Sequence, residues 1–116
     1  MNIDIKLNSM NSVGESEAEN QEFINELKGL FLQHAPATYE EVLRLLEEGK
    51  IDSLKSQAHR LKGLAYNLAA EKLASVCAQI EECAGQSKME EARSKKQVLI
   101  QEWNNLITFL QKDLAA

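Results

Sequence analysis

Apolar residues in the middle of the chain fall at Ile51, Leu54, Ala58, Leu61, Ala65 and Leu68, a 3-4-3-4-3 spacing. That spacing places all six on one stripe of an α-helix packed at a shallow angle against neighbours, and it predicts a helix from about Lys50 or Ile51 to Leu68. Before it, Phe23, Leu27, Leu30, Phe31 and His34 recur at helical spacing and predict a helix over about 18–34, opened by a Ser16/Glu19 capping box and ended by Pro36. Tyr39, Val42, Leu43 and Leu46 then predict another from about Pro36 to Glu48, with Gly49 as its stop. A further helix over about 70–84 turns Leu73, Val76, Cys77, Ile80 and Ala84 inward, and Gly85 is placed to close it in a left-handed conformation. Ser87 and Glu90 form a second capping box. From there a last helix reaches about Lys112 and packs Ala92, Leu99, Trp103, Leu106 and Leu110.

The short connections between these segments make sequential neighbours antiparallel. The expected fold is therefore all-α, an antiparallel up-down-up-down four-helix bundle with an additional N-terminal helix over residues 17–116. Residues 1–16 are rich in Asn and Ser; Ile3, Ile5 and Leu7 alternate, but too briefly for a sheet, and the stretch is expected to be a flexible arm.

Composition narrows the function classes. The chain has 116 residues, room for one domain with a modest core, and its 44% hydrophobic content with a single proline suits helix formers. A net charge of -5 with scattered basic residues argues against nucleic-acid binding, which needs a basic face. No apolar run is long enough to span a bilayer and the first residues lack a signal-peptide core, so no membrane association and a cytoplasmic location are expected. Cys77 and Cys83, about 240° apart around one helix, cannot bridge each other and are expected to be reduced, packed thiols.

Chemistry concentrates on the central helix. At 100° per residue, His59 stands about 140° from the centre of the apolar stripe and so faces solvent, in line with Asp52, Ser56, Gly63 and Tyr66. Lys62 lies on the flank, one turn from the imidazole. Gly63 costs roughly 1 kcal/mol relative to alanine in a helix interior, where no turn or cap calls for it. A bare spot there would let another protein bring a bulky charged group onto the ring, and the Lys62 ammonium would offset the charge of a phosphoryl group and disfavour the imidazolium. His34 falls near an expected helix C-terminus, where a partly buried or dipole-stabilised ring is the ordinary reading. No Glu-x-x-His grouping of a bundle metal site occurs, and neither a metal nor a cofactor is expected.

The run Ala58-His59-Arg60-Leu61-Lys62-Gly63 resembles the histidine-phosphotransfer (HPt) family, marked by a surface His-x-x-Lys-Gly on a bundle helix. Asn67-Leu68, Glu71-Lys72-Leu73-Ala74 and the stretch from Phe31 to Pro36 extend the likeness over about residues 23–110. The resemblance implies that His59 is phosphorylated, that Lys62 assists at the phosphate and that Gly63 gives a partner's aspartyl phosphate access. It also implies a carrier without kinase activity, with Mg²⁺ and most catalytic groups on the partner. Those partners are the receiver domains of a hybrid sensor kinase and of a response regulator; from the shortness of the chain a free-standing monomer is expected, although a domain excised from a hybrid kinase would look the same. Ser56, Leu64 and Tyr66 are expected to form a docking patch around His59. Three positions depart from the family pattern. Gly49-Lys50 stands where Gly-Asp is common, so the helix cap is expected from Asp52 or Ser53. Ala69 replaces a glycine, leaving Asn67 as the candidate for unusual backbone angles. Glu81 stands where some members place a glutamine beside the histidine, and neither Gln79 nor Glu81 is assigned to the site. A bundle that binds partners without phosphoryl chemistry is the alternative, and only the motif separates the two.

Overall fold

The computed structural model describes residues 17–115, all of which lie in helices or the short turns between them. The five helices are α1 Glu17–Glu48, α2 Ile51–Asn67, α3 Glu71–Gly85, α4 Met89–Ser94 and α5 Lys96–Ala115. The N-terminal arm and the Ser16 capping box lie outside the described residues.

α1, α2, α3 and the α4–α5 pair form an antiparallel four-helix bundle. On α1 and α5, Lys28 sits over the Phe109 ring, Phe31 and Tyr39 meet Trp103, and Glu47 pairs with Lys96, so the two helices run in opposite directions. Ile24, at the start of α1, packs against Ala69, just past the end of α2. Between α2 and α3, His59 contacts Glu81 while Lys55 lies beside Gly85, the same reversal.

The two N-terminal helices expected from the sequence are one. Pro36 lies inside α1 rather than between helices, although it removes a backbone donor and crowds the preceding turn. The reason is the phase of the buried stripe: Ile24, Lys28, Phe31, Ala35, Thr38, Val42 and Leu45 alternate four and three residues apart straight through the proline. Breaking the helix there would rotate half of these residues out of the core. The additional N-terminal helix is thus the first half of α1. His34 is consequently mid-helix and exposed, neither terminal nor partly buried, and its carbonyl accepts a hydrogen bond from Thr38 Oγ1 at 3.5 Å. The last expected helix is instead two, parted at Lys95, with Ala92 buried before the break and Leu99 after it. The Tyr39 and Trp103 rings stack at 4.2 Å between centroids, joining α1 to α5 at mid-length.

The turns follow a common device, at Gly49 with the residue expected and at the next two with others. Gly49 adopts φ 72° after α1, and the N–H groups of Gly49 and Lys50 both close on the Leu45 carbonyl. After α2 the left-handed residue is Ala69 itself, at φ 55°, rather than Asn67. The N–H of Ala70 reaching the Ala65 carbonyl at 2.9 Å holds it there. After α3 it is Ser87, at φ 58°, not Gly85, which stays helical, and the Lys88 N–H returns to the Cys83 carbonyl at 2.8 Å. Neither Asp52 nor Ser53 caps α2, whose N-cap is Lys50, and Ser87 does not cap α4, whose N-cap is Lys88; neither cap residue makes a side-chain cap hydrogen bond. Arg93 closes the other end of the molecule, donating to the Leu46 and Glu47 carbonyls at the C-terminus of α1.

Two substitutions test these turns by thermal melting. Ser87→Gly is expected to stabilise the protein by about 0.5–1 kcal/mol, because an exposed left-handed residue sheds its Cβ penalty. Gly49→Ala is expected to destabilise it by about 1–2 kcal/mol, since an added Cβ would carry that penalty and would also meet the Arg93 guanidinium at 3.2 Å. Equal effects of the two changes would show that the left-handed turns are not what the residues at these positions govern.

Candidate functional site around His59

α2 presents two chemically opposed faces. Leu54, Ala58, Leu61 and Ala65 are completely buried, whereas Asp52, Ser56, His59, Gly63 and Tyr66 are exposed, as the wheel of apolar positions predicts. The His59 side chain keeps 67% of its surface open to solvent. Because the four core residues fix the rotation of α2, the imidazole cannot turn inward without expelling one of them.

α3 supplies the residue that organises the site. Glu81 Oε2 lies 2.8 Å from His59 Nδ1, and its Oε1 lies 2.7 Å from Lys62 Nζ. The second contact is an ion pair rather than a well-aligned hydrogen bond, with Oε1 itself enclosed. One carboxylate therefore bridges the two α2 residues whose pairing the sequence suggested, and Lys62 reaches the site through Glu81 rather than by touching the ring. Burial pushes the Glu81 carboxyl up, but the contacts from Lys62 and His59 outweigh it, so that the group lies below the usual range for a glutamic acid. The Lys62 ammonium is held above its ordinary value chiefly by the same contact with Glu81. Beneath the pair, burial pushes the Cys77 thiol up to about 12, with a smaller push from Glu81. It is an inert core group. Cys83 is likewise a free thiol, half-buried.

The geometry selects a tautomer. A carboxylate at Nδ1 accepts the N–H from that nitrogen, leaving the lone pair of the neutral ring on Nε2, directed away from Glu81. An Nε2 lone pair on an open face is a nucleophile available to another molecule and to nothing within the bundle.

The remaining sequence-expected residues divide. Gly63 lies one turn beyond His59, and a Cβ added to it would meet nothing within 4 Å. Ser56 is exposed, as is Tyr66, with 57% of its surface open. Leu64 is half-buried and packs against the core, so only part of it remains for a partner. Gln79 points elsewhere, donating to Ser75 Oγ at 3.4 Å. Glu81 was the residue missed, and a signal for it existed: it follows Cys77 by four residues, which sets an acid at the edge of the buried stripe of α3. A charge at such a position demands a partner.

Residues 26–113 match the family model of the Hpt domain. The chain belongs to the Hpt family. No curated protein and no solved structure matches it. Hpt domains are phosphocarriers that act in phosphorelays by histidine phosphotransfer and interact with the receiver domains of two-component systems. An all-α bundle with a solvent-facing histidine is consistent with that role, and among the described residues no helix is long and apolar enough to cross a membrane.

The open surroundings of Gly63 lead to an expected stability effect. Gly63→Ala and Gly29→Ala both add a methyl group where nothing lies within 4 Å, on the exposed side of a helix. Each is expected to stabilise the fold by up to about 1 kcal/mol in denaturant titrations, through better helix propensity and a less disordered unfolded chain. Destabilisation at residue 63 alone would show that this glycine serves packing.

Proposed function

We propose that His59 is the phosphoryl-carrying residue of this Hpt domain. It accepts the group from a receiver-domain aspartate of a hybrid sensor kinase and passes it to a response-regulator aspartate. The observation that carries the reading is the hydrogen bond between His59 Nδ1 and Glu81 on an imidazole otherwise open to solvent. It orients the ring and leaves Nε2 free to attack phosphorus. In-line transfer of this kind rests on positioning and charge neutralisation, and it requires little chemistry from the carrier itself.

Lys62 neutralises charge at the site, and its ammonium, held now against Glu81, lies one turn from the ring on the flank that the phosphoryl oxygens would approach. Gly63 provides clearance for the partner. Ser56, Tyr66 and the exposed part of Leu64 form the adjoining contact surface, a modest one suited to transient encounters between a monomer and its receivers. The Mg²⁺ and the remaining catalytic groups belong to the receiver, and the cytoplasm is the compartment in which such partners meet the chain.

Two variants test the assignment. His59→Gln is expected to keep its helical circular dichroism and to lose all acceptance of acid-labile phosphate from a phosphorylated receiver. Phosphate retained in that variant, or found on His34, overturns it. Gly63→Gln is expected to fold and yet to transfer at least about tenfold more slowly, a barrier increase of about 1.4 kcal/mol, by obstructing the approach to Nε2. Transfer at the parent rate would remove the clearance argument.

A further inference from the structure

The cations around His59 are not equally committed. Lys62, about 60° round α2 from the histidine on the side of α3, is held by Glu81 at 2.7 Å, and Lys55 lies along the same flank beside Gly85. Arg60, about 100° round in the other direction, is exposed, and among the described residues nothing hydrogen-bonds or ion-pairs with it. The surroundings offer it no acid. Its neighbours three and four positions away on α2 are Ser56, Gln57, Gly63 and Leu64. α1, which packs on this flank, has no acidic residue between Glu26 and Glu40; counting equal rises from the contact of Ile24 with Ala69, the turn of α1 level with Arg60 falls at about residue 33.

Sequence neighbours on a helix diverge, so the His59 ring and the Arg60 guanidinium do not face each other directly. They stand instead as two sides of a notch. Gly63, four residues beyond His59 and three beyond Arg60, forms its floor at one end, where an added Cβ would meet nothing within 4 Å. Ser56, three residues before His59 and four before Arg60, lines the other end with a small side chain. The contact with Glu81 ties the ring on its α3 side, so Nε2 is directed away from α3, toward the flank that carries Arg60.

We propose that Arg60 is a catalytic residue of the transfer, its guanidinium crossing over Gly63 to donate hydrogen bonds to the oxygens of the phosphoryl group at His59 Nε2. This rests on the reading of His59 as the carrier. A guanidinium stays charged throughout the physiological range, and its planar fork of N–H donors matches two oxygens of one phosphoryl group. Arg60 also gives up nothing to bind. Lys62 reaches a phosphoryl oxygen only by loosening from Glu81, whereas Arg60 has no contact to break. In loading, the Nε2 lone pair forms the N–P bond as the P–O bond to the receiver aspartate breaks, and the electron pair of that bond leaves with the aspartate as its carboxylate. In donation, an aspartate carboxylate oxygen forms the new P–O bond and the N–P electron pair returns to Nε2. Arg60 keeps its protons in both directions and offsets the charge spread over the phosphoryl oxygens. Gly63 thereby gains a second task, since a side chain there would obstruct the guanidinium as well as the partner.

The test loads the full chain in two ways, from a phosphorylated receiver and from phosphoramidate, a small phosphoryl donor that needs no docking surface, and follows the appearance of acid-labile phosphate. Arg60→Gln is expected to keep its helical circular dichroism and to load at least about tenfold more slowly from both donors, with Arg60→Lys in between. Arg44→Gln removes the same charge near the C-terminus of α1, where Arg44 pairs with Glu41 and Glu48, and is expected to load at the parent rate. In nitrogen NMR of the parent, the Arg60 Nε–H signal should shift and exchange more slowly once His59 is phosphorylated. Loading of Arg60→Gln from phosphoramidate at the parent rate overturns the proposal; slowing with the receiver alone would make Arg60 a docking contact. Equal slowing in Arg44→Gln overturns it too, by assigning the effect to net charge. Each of these results leaves His59 as the carrier. A parent that takes up no phosphate on His59 removes the carrier reading and this inference with it.

Discussion

The rotation of α2 about its own axis is the constraint on which the rest depends. Leu54, Ala58, Leu61 and Ala65 have no exposed surface, and the alternation of leucine with alanine lets the neighbouring helices approach closely. Removing the Leu61 side chain beyond its Cβ would cost about 2–5 kcal/mol, a large share of the stability of so small a domain. The core therefore holds the helix at one angle. His59, on the far side, inherits its exposure from contacts in which it takes no part.

A second helix completes what the first displays. α2 alone would present an imidazole and an ammonium one turn apart, each free to move in solvent. α3, running antiparallel, brings Glu81 between them, and the ring acquires both an orientation and a defined tautomer. The acid stands at the margin of the α3 core, partly withdrawn from water, where electrostatic contacts are less screened than on an open surface.

Much of this was legible in the sequence, unevenly and for physical reasons. The strict periodicity of α2 and α3 located both helices to within a residue or so and put His59, Gly63 and Tyr66 outward, because burial follows period directly. Pro36 misled because a local rule, that proline ends helices, competed with the uninterrupted phase of Ile24 through Leu45, and tertiary packing prevailed. Gly49 was read correctly, but two other left-handed turn residues were misjudged in the same way: Ala69 and Ser87 adopt positive φ because the hydrogen bonds that close the turns require it. Glu81 was named but left unassigned for another reason. It meets His59 across 22 positions of sequence, and no local pattern encodes which residue of one helix will face which residue of another.

The Lys62–Glu81 pair also shapes the electrostatic landscape seen from outside. Two opposite charges 2.7 Å apart form a compact dipole whose field falls away much faster than that of either ion alone. The chain carries a net charge of -5, yet beside His59 the charges of Lys62 and Glu81 offset each other. On the proposed reading, an incoming phosphorylated surface, itself anionic, meets a Glu81 carboxylate whose charge Lys62 already offsets, and its long-range attraction or repulsion is set by charges elsewhere on the molecule. Ionic strength should accordingly govern how often partners meet far more than how fast phosphorus moves once they have.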